Sequence, residues 1–125
     1  MNNLQSKDLV IKIVKALDEK KAQDIKVLTV EGLTSITDYF VICTGSSTTQ
    51  IKAVADFALE KCKEDGIIPK HIEGYRDANW ILLDFGDVVV HVFHSEMRGF
   101  YSLERLWADA PVMDIEEYIK YYFGK

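Results

Sequence analysis

Apolar positions along the chain change period several times, and each change marks an element. Val10, Ile13, Val14 and Leu17 recur at helical spacing, which predicts a helix over Leu9–Leu17 with Ser6 as its N-cap. Ile25–Val30 and Asp38–Thr44 read as strands, the second rich in β-branched and aromatic residues. Gly45-Ser46-Ser47 breaks the pattern. A long helix is expected from Thr48 to Asp65, with Ser47 and Gln50 as a capping box and Gly66 as the residue past its end. Its apolar stripe is Ile51, Val54, Ala55, Ala58 and Cys62. Strands follow at His71–Tyr75, Trp80–Phe85 and Val88–His94, then a helix over Met97–Trp107. Asp114 with Glu117 resembles a second capping box, opening a short final helix. The strand–helix–strand crossover from Asp38–Thr44 to His71–Tyr75 calls for parallel pairing. One domain of α/β class follows, a mixed five-stranded sheet with helices packed on it.

The last two strands form the most informative segment. Gly86-Asp87 is a two-residue hairpin signal, and such a loop fixes register. Phe85 then faces Val88, Leu83 faces Val90, and Ile81 faces Val92. Alternation puts these six apolar side chains on one face, which must pack on helices. The other face pairs Asp84 with Val89, Leu82 with His91, and Trp80 with Phe93. That is no polar solvent face. Left open, such a surface marks an interaction site. The alternative is that Phe100–Trp107 folds over it.

Charge and composition narrow the partner. The chain has 125 residues, 48% hydrophobic and 28% charged, with a formal net charge of −5. An acidic chain with no basic run longer than Lys20-Lys21 disfavours direct nucleic-acid contact and suits a basic protein partner. Cys43 and Cys62 both lie in apolar-patterned segments, outside any CxxC, and read as buried reduced thiols. The charged start, Met1–Lys20, does not read as a secretory signal, and no stretch is long and apolar enough to span a membrane. The cytoplasm is the expected compartment.

Catalytic chemistry finds little support in the residues. Gly45-Ser46 between strand and helix suggests a phosphate cradle like that of the nucleotidyltransferases. Those enzymes need two carboxylates one residue apart on a strand to hold Mg²⁺, and no Asp-x-Asp or Asp-x-Glu follows on a strand. His91 and His94 point to opposite faces of one strand, so they do not chelate one ion easily. Asp84 and His91 are diagonal neighbours, but the pattern places no nucleophile beside them. No cofactor is expected.

Three segments carry a resemblance. Asp38-Tyr39-Phe40-Val41-Ile42-Cys43-Thr44-Gly45-Ser46-Ser47 continues into Gln50-Ile51-Lys52-Ala53-Val54-Ala55-Asp56. Glu73-Gly74 precedes Trp80-Ile81-Leu82-Leu83-Asp84-Phe85-Gly86-Asp87-Val88-Val89-Val90-His91-Val92-Phe93. Arg98-Gly99-Phe100-Tyr101-Ser102-Leu103-Glu104-Arg105-Leu106-Trp107 completes the set. In this order they resemble the ribosomal silencing factors of the Iojap family, over nearly the whole chain. The resemblance implies a nucleotidyltransferase-like fold lacking the catalytic carboxylates, and a protein that is not an enzyme. It implies binding to ribosomal protein L-fourteen on the large ribosomal subunit, so that the small subunit cannot join and translation is repressed when nutrients are short. It also implies a part in large-subunit biogenesis, and a homodimer when free. Carried onto this chain, the partner-binding residues are Trp80, Leu82, Asp84, His91 and Phe93, with Tyr101, Leu106 and Trp107 extending the surface. Leu106, Trp107 and Tyr101 also fit a core role. Asp77 and Asp84 would meet Lys or Arg on the partner, with Arg76 and Lys52 at the rim. Two competing readings stay open: a nucleotide-using enzyme at Gly45-Ser46, and a scaffold whose open face serves self-association alone.

Overall fold

The computed structural model describes residues 3–32 and 37–95. Helix α1 (Asn3–Glu19) leads into β1 (Gln23–Thr29) and β2 (Tyr39–Gly45). Helix α2 (Thr48–Glu64) follows, then β3 (His71–Glu73), β4 (Trp80–Asp84) and β5 (Val88–His94). The five strands form one mixed sheet in the order β1-β2-β5-β4-β3. The expected helices over Met97–Trp107 and after Asp114 lie outside the described residues.

Parallel pairing is present, but between other strands than expected. β2 pairs in parallel with β5, from Tyr39 opposite Val88 to Gly45 opposite His94. β3 sits at the far edge and pairs only with β4, antiparallel. Composition explains the order. All three residues of β3 are exposed, so its polar sequence suits an edge. β5 buries every residue but its last and takes the centre.

Other boundaries move for local reasons. α1 starts upstream of the expected Leu9, so Ser6 is not a cap. It is buried inside the helix, and its side chain hydrogen-bonds that of Asp38. Gly74, with φ +78°, ends β3 short of Tyr75. At α2 the Ser47 hydroxyl accepts from the Gln50 N–H at 3.1 Å, as the capping motif requires. The return arm is displaced by one residue. Gln50 Oε1 accepts from the Ser46 N–H at 2.6 Å and from the Ser46 hydroxyl at 3.0 Å. Gly66, with φ +76°, follows the Asp65 C-cap as expected.

Both described helices lie on one side of the sheet. Val10, Ile13, Val14 and Leu17 of α1 meet Ile51, Val54, Ala55, Ala58 and Cys62 of α2 in a single buried cluster. The predicted inner face of the hairpin completes it: Ile81, Leu83, Phe85, Val88, Val90 and Val92. Cys43 and Cys62 are buried here as thiols rather than disulfides, and burial pushes the Cys62 thiol up to about 11. A thiol-reactive dye is therefore expected to leave both cysteines unmodified in the folded protein and to label both in denaturant.

Adjacent residues on β4 provide a second check. Leu83 is fully buried in the core, whereas Leu82 on the opposite face is partly exposed. Leu83→Ala should cost about 3 kcal/mol in urea unfolding, within the range for buried leucines. Leu82→Ala should cost about 1 kcal/mol or less, since less area and no closed cavity are involved.

Candidate functional site

The second face of the hairpin has the register that the two-residue turn predicts. Trp80 lies opposite Phe93, Leu82 opposite His91, and Asp84 opposite Val89. The Phe85 N–H bonds the Val88 carbonyl at 2.9 Å, which closes the turn. Gly86 takes φ +94°, a left-handed value that an L side chain adopts only at a cost. The Asp84 Oδ1 accepts from the Gly86 N–H at 2.8 Å. One oxygen of Asp84 therefore braces the turn and does not reach His91.

Neighbouring strands widen this face. β2 adds Phe40 and Ile42, which stand opposite Val89 and His91 in the parallel register. Leu28, Val30, Ile42 and Phe93 form a second buried cluster, with Phe40 and Trp80 packed against it. Among the described residues this cluster draws on the strands and Val30 alone, and neither α1 nor α2 contributes to it.

The expectation of a fully open face needs correction. Trp80, Leu82 and Asp84 are partly exposed, but Val89, His91 and Phe93 are buried, His91 at 4% and Phe93 at 1% exposure. Stacked rings account for part of this shielding. Trp80 lies on Phe93 with centroids 5.0 Å apart and planes 24° apart. His91 runs nearly parallel to Phe93 at 6.0 Å and meets Phe40 edge-on at 5.1 Å. Sequence alternation assigns a face; it does not show how large rings on that face cover one another. The segment Phe100–Trp107, offered as an alternative cover, lies outside the described residues, as do Tyr101, Leu106 and Trp107.

A side-chain hydrogen bond joins the two strands across this face. The Trp80 Nε1–H donates to His91 Nδ1 at 3.0 Å. An imidazole that accepts at Nδ1 and is neutral carries its proton on Nε2. Nε2 is buried and has no hydrogen-bond partner among the described residues. Burial lowers the His91 pKa from 6.5 to about 4, so the ring is uncharged at neutral pH. Sequence reasoning placed both residues on this face but missed the bond between them. Their diagonal spacing was the available signal.

The remaining candidates fall elsewhere. Asp77 and Arg76 are exposed in the turn before β4. Lys52 on α2 lies over the ring of Tyr75, 5.4 Å from its centroid, and the Tyr75 hydroxyl donates to Asp56 at 3.0 Å. Ser46, proposed for a phosphate cradle, spends its N–H and hydroxyl on Gln50. Among the described residues no three His, Cys, Asp or Glu side chains group as metal ligands. No described helix is long and apolar enough to cross a membrane.

Fold and face together define a small α/β protein with a two-sided sheet, one side packed against both described helices and the other carrying stacked aromatic rings. Residues 3–122 match the family model "Ribosomal silencing factor during starvation". The chain belongs to that family, the RsfS or Iojap-type ribosomal silencing factors. It is 43% identical over 113 residues to the ribosomal silencing factor RsfS of Halalkalibacterium halodurans, covering 90% of this chain and 97% of that one. It is 48% identical over 101 residues to RsfS of Bacillus subtilis, covering 81% and 86%. A crystal structure from Bacillus halodurans superposes with a TM-score of 0.78 at 42% identity, covering 86% of this chain and 98% of that one. A more distant mouse relative is named "Mitochondrial assembly of ribosomal large subunit protein 1". It is 36% identical over 100 residues, covering 76% of this chain and 43% of that one.

The His91 environment gives a pH signature. The unfolded chain binds a proton at this site below about 6.5, while the folded chain does so only below about 4. Between those values the unfolded state holds more protons, so stability falls as pH drops through the window and this group adds no further loss below it. At about 1.4 kcal/mol per pH unit of that gap, the contribution is on the order of 3 kcal/mol. His91→Asn keeps an acceptor near Nδ1 but does not titrate. Its unfolding free energy should change less between pH 6.5 and 4 than that of the parent chain, measured by urea denaturation at each pH.

Proposed function

We propose that this chain docks on the large ribosomal subunit through ribosomal protein L-fourteen and bars the small subunit from joining. Translation is thereby repressed when nutrients are limiting. Family membership over residues 3–122, combined with an aromatic sheet face to which neither described helix contributes, is the observation that carries this reading. Trp80, Leu82 and Asp84 supply the centre of the contact, and the buried His91 and Phe93 hold Trp80 in place beneath it. Asp77 lies at its rim, and Tyr101, Leu106 and Trp107 extend it.

The chemistry of the face supports that assignment. Trp80 is partly exposed, stacked from below and held by a hydrogen bond to His91, so it presents a rigid apolar anchor with little rotamer freedom left to lose. A net charge of −5 suits a basic ribosomal protein and steers the encounter. The same charge keeps direct nucleic-acid contact small.

The chain acts as a single domain in the cytoplasm, with no cofactor and no catalytic activity of its own. The fold is akin to that of nucleotidyltransferases, without the paired strand carboxylates that their chemistry needs. The free protein is a homodimer. A further role in large-subunit assembly is favoured by the name of the mouse relative.

Co-sedimentation with purified large subunits tests the site. Trp80→Ala is expected to weaken binding by about 2 kcal/mol or more, roughly thirty-fold, as loss of a central aromatic anchor does. Unchanged affinity in a folded Trp80→Ala chain removes this face from the interface. A variant that turns monomeric yet still binds subunits assigns the patch to self-association alone.

A further inference from the structure

Gly74 sits at the end of β3, backbone to backbone with the start of β4. It has φ +78°, and a Cβ placed on it would overlap the Trp80 carbonyl oxygen and stand 3.1 Å from the Trp80 carbonyl carbon. Those are backbone atoms, which do not swing aside as a flexible side chain can. The turn that follows is closed on both flanks. The Ala78 N–H donates to the Gly74 carbonyl at 3.0 Å, with Ala78 fully buried at φ +55°. The His94 N–H of β5 donates to the Asn79 carbonyl at 2.8 Å. Residues 74–79 thus form a buckle that delivers Trp80 to β4 at one fixed position. From there the indole N–H meets His91 Nδ1.

We propose that Gly74 is a positioning residue for the docking face: its missing side chain lets β3 close on the Trp80 backbone, and this closure holds the indole on His91. The inference rests on the reading of that face given above. Gly74 touches no partner in this scheme and acts only through Trp80.

Gly74→Ala in the full chain tests it with two measurements. The first is affinity for purified large subunits, expected to fall at least ten-fold. The second is the Trp80 indole N–H resonance in ¹⁵N-labelled protein, assigned by its loss in Trp80→Phe. It should move toward the position of an unbonded indole. Gly66→Ala is the matched control, because Gly66 has φ +76° but nothing within 4 Å of an added Cβ. It carries the same left-handed penalty and should leave both readouts at the parental value. The double variant Gly74→Ala/Trp80→Ala should bind no more weakly than Trp80→Ala.

An unmoved indole resonance in folded Gly74→Ala overturns the proposal. So do equal affinity losses in Gly66→Ala and Gly74→Ala, or additive losses in the double variant. If Gly74→Ala does not fold, it is remade with Lys21→Gly, which relieves a left-handed residue at φ +63° elsewhere. A chain still unfolded in that background assigns Gly74 to folding alone and also overturns the proposal. Normal binding by Trp80→Ala would instead defeat the docking-face reading, while the indole resonance still decides whether Gly74 sets Trp80.

Discussion

The register of the β4–β5 hairpin is the constraint on which the rest depends. A two-residue turn at Gly86-Asp87 leaves one way to pair the strands, and side chains then alternate between faces. A slip by one residue would send Ile81, Leu83, Val90 and Val92 away from the helices and drive Asp84 and His91 into the core. The glycine geometry at position 86 and the brace from Asp84 to its N–H act together against that slip. The core face and the aromatic face are therefore specified by the same few bonds.

The outer face shows how an aromatic surface is kept ordered without being sealed by the described helices. Leu28, Val30, Ile42 and Phe93 make a thin apolar layer, and Trp80 lies across it. The Trp80–His91 bond is worth on the order of 1 kcal/mol net, and each ring contact is comparable. Neither is large, but together they restrict the indole. Against them stands the buried Nε2–H, whose desolvation costs about 1–3 kcal/mol when it has no partner. Order on this face thus comes with a buried imidazole N–H that has no partner among the described residues.

Much of this was legible in the residues because period and turn chemistry are local. The α1 and α2 stripes, the Ser47 cap, Gly66 and the whole hairpin register follow from spacing alone. What escaped was non-local. Ser6 looks like a cap until its burial against Asp38 is seen. The crossover after β2 implies parallel pairing, but only the apolar excess of β5 over β3 says which strand takes the place beside β2. At the site, pattern put Trp80, Leu82, Asp84, His91 and Phe93 on one face. It did not show that the rings bury His91 and Phe93, because mutual shielding depends on rotamers and centroid distances.

The parallel seam between β2 and β5 also shapes the order of folding. Tyr39 must find Val88 across all of α2, β3 and β4. Contacts of such long sequence separation form late and slow a domain's folding. During synthesis, β2 emerges with Val41, Ile42 and Cys43 lacking their central neighbour until Val88–His94 has left the exit tunnel. Two of the five strands, β1 and β2, then wait with an apolar edge open until the chain's later half supplies their neighbour.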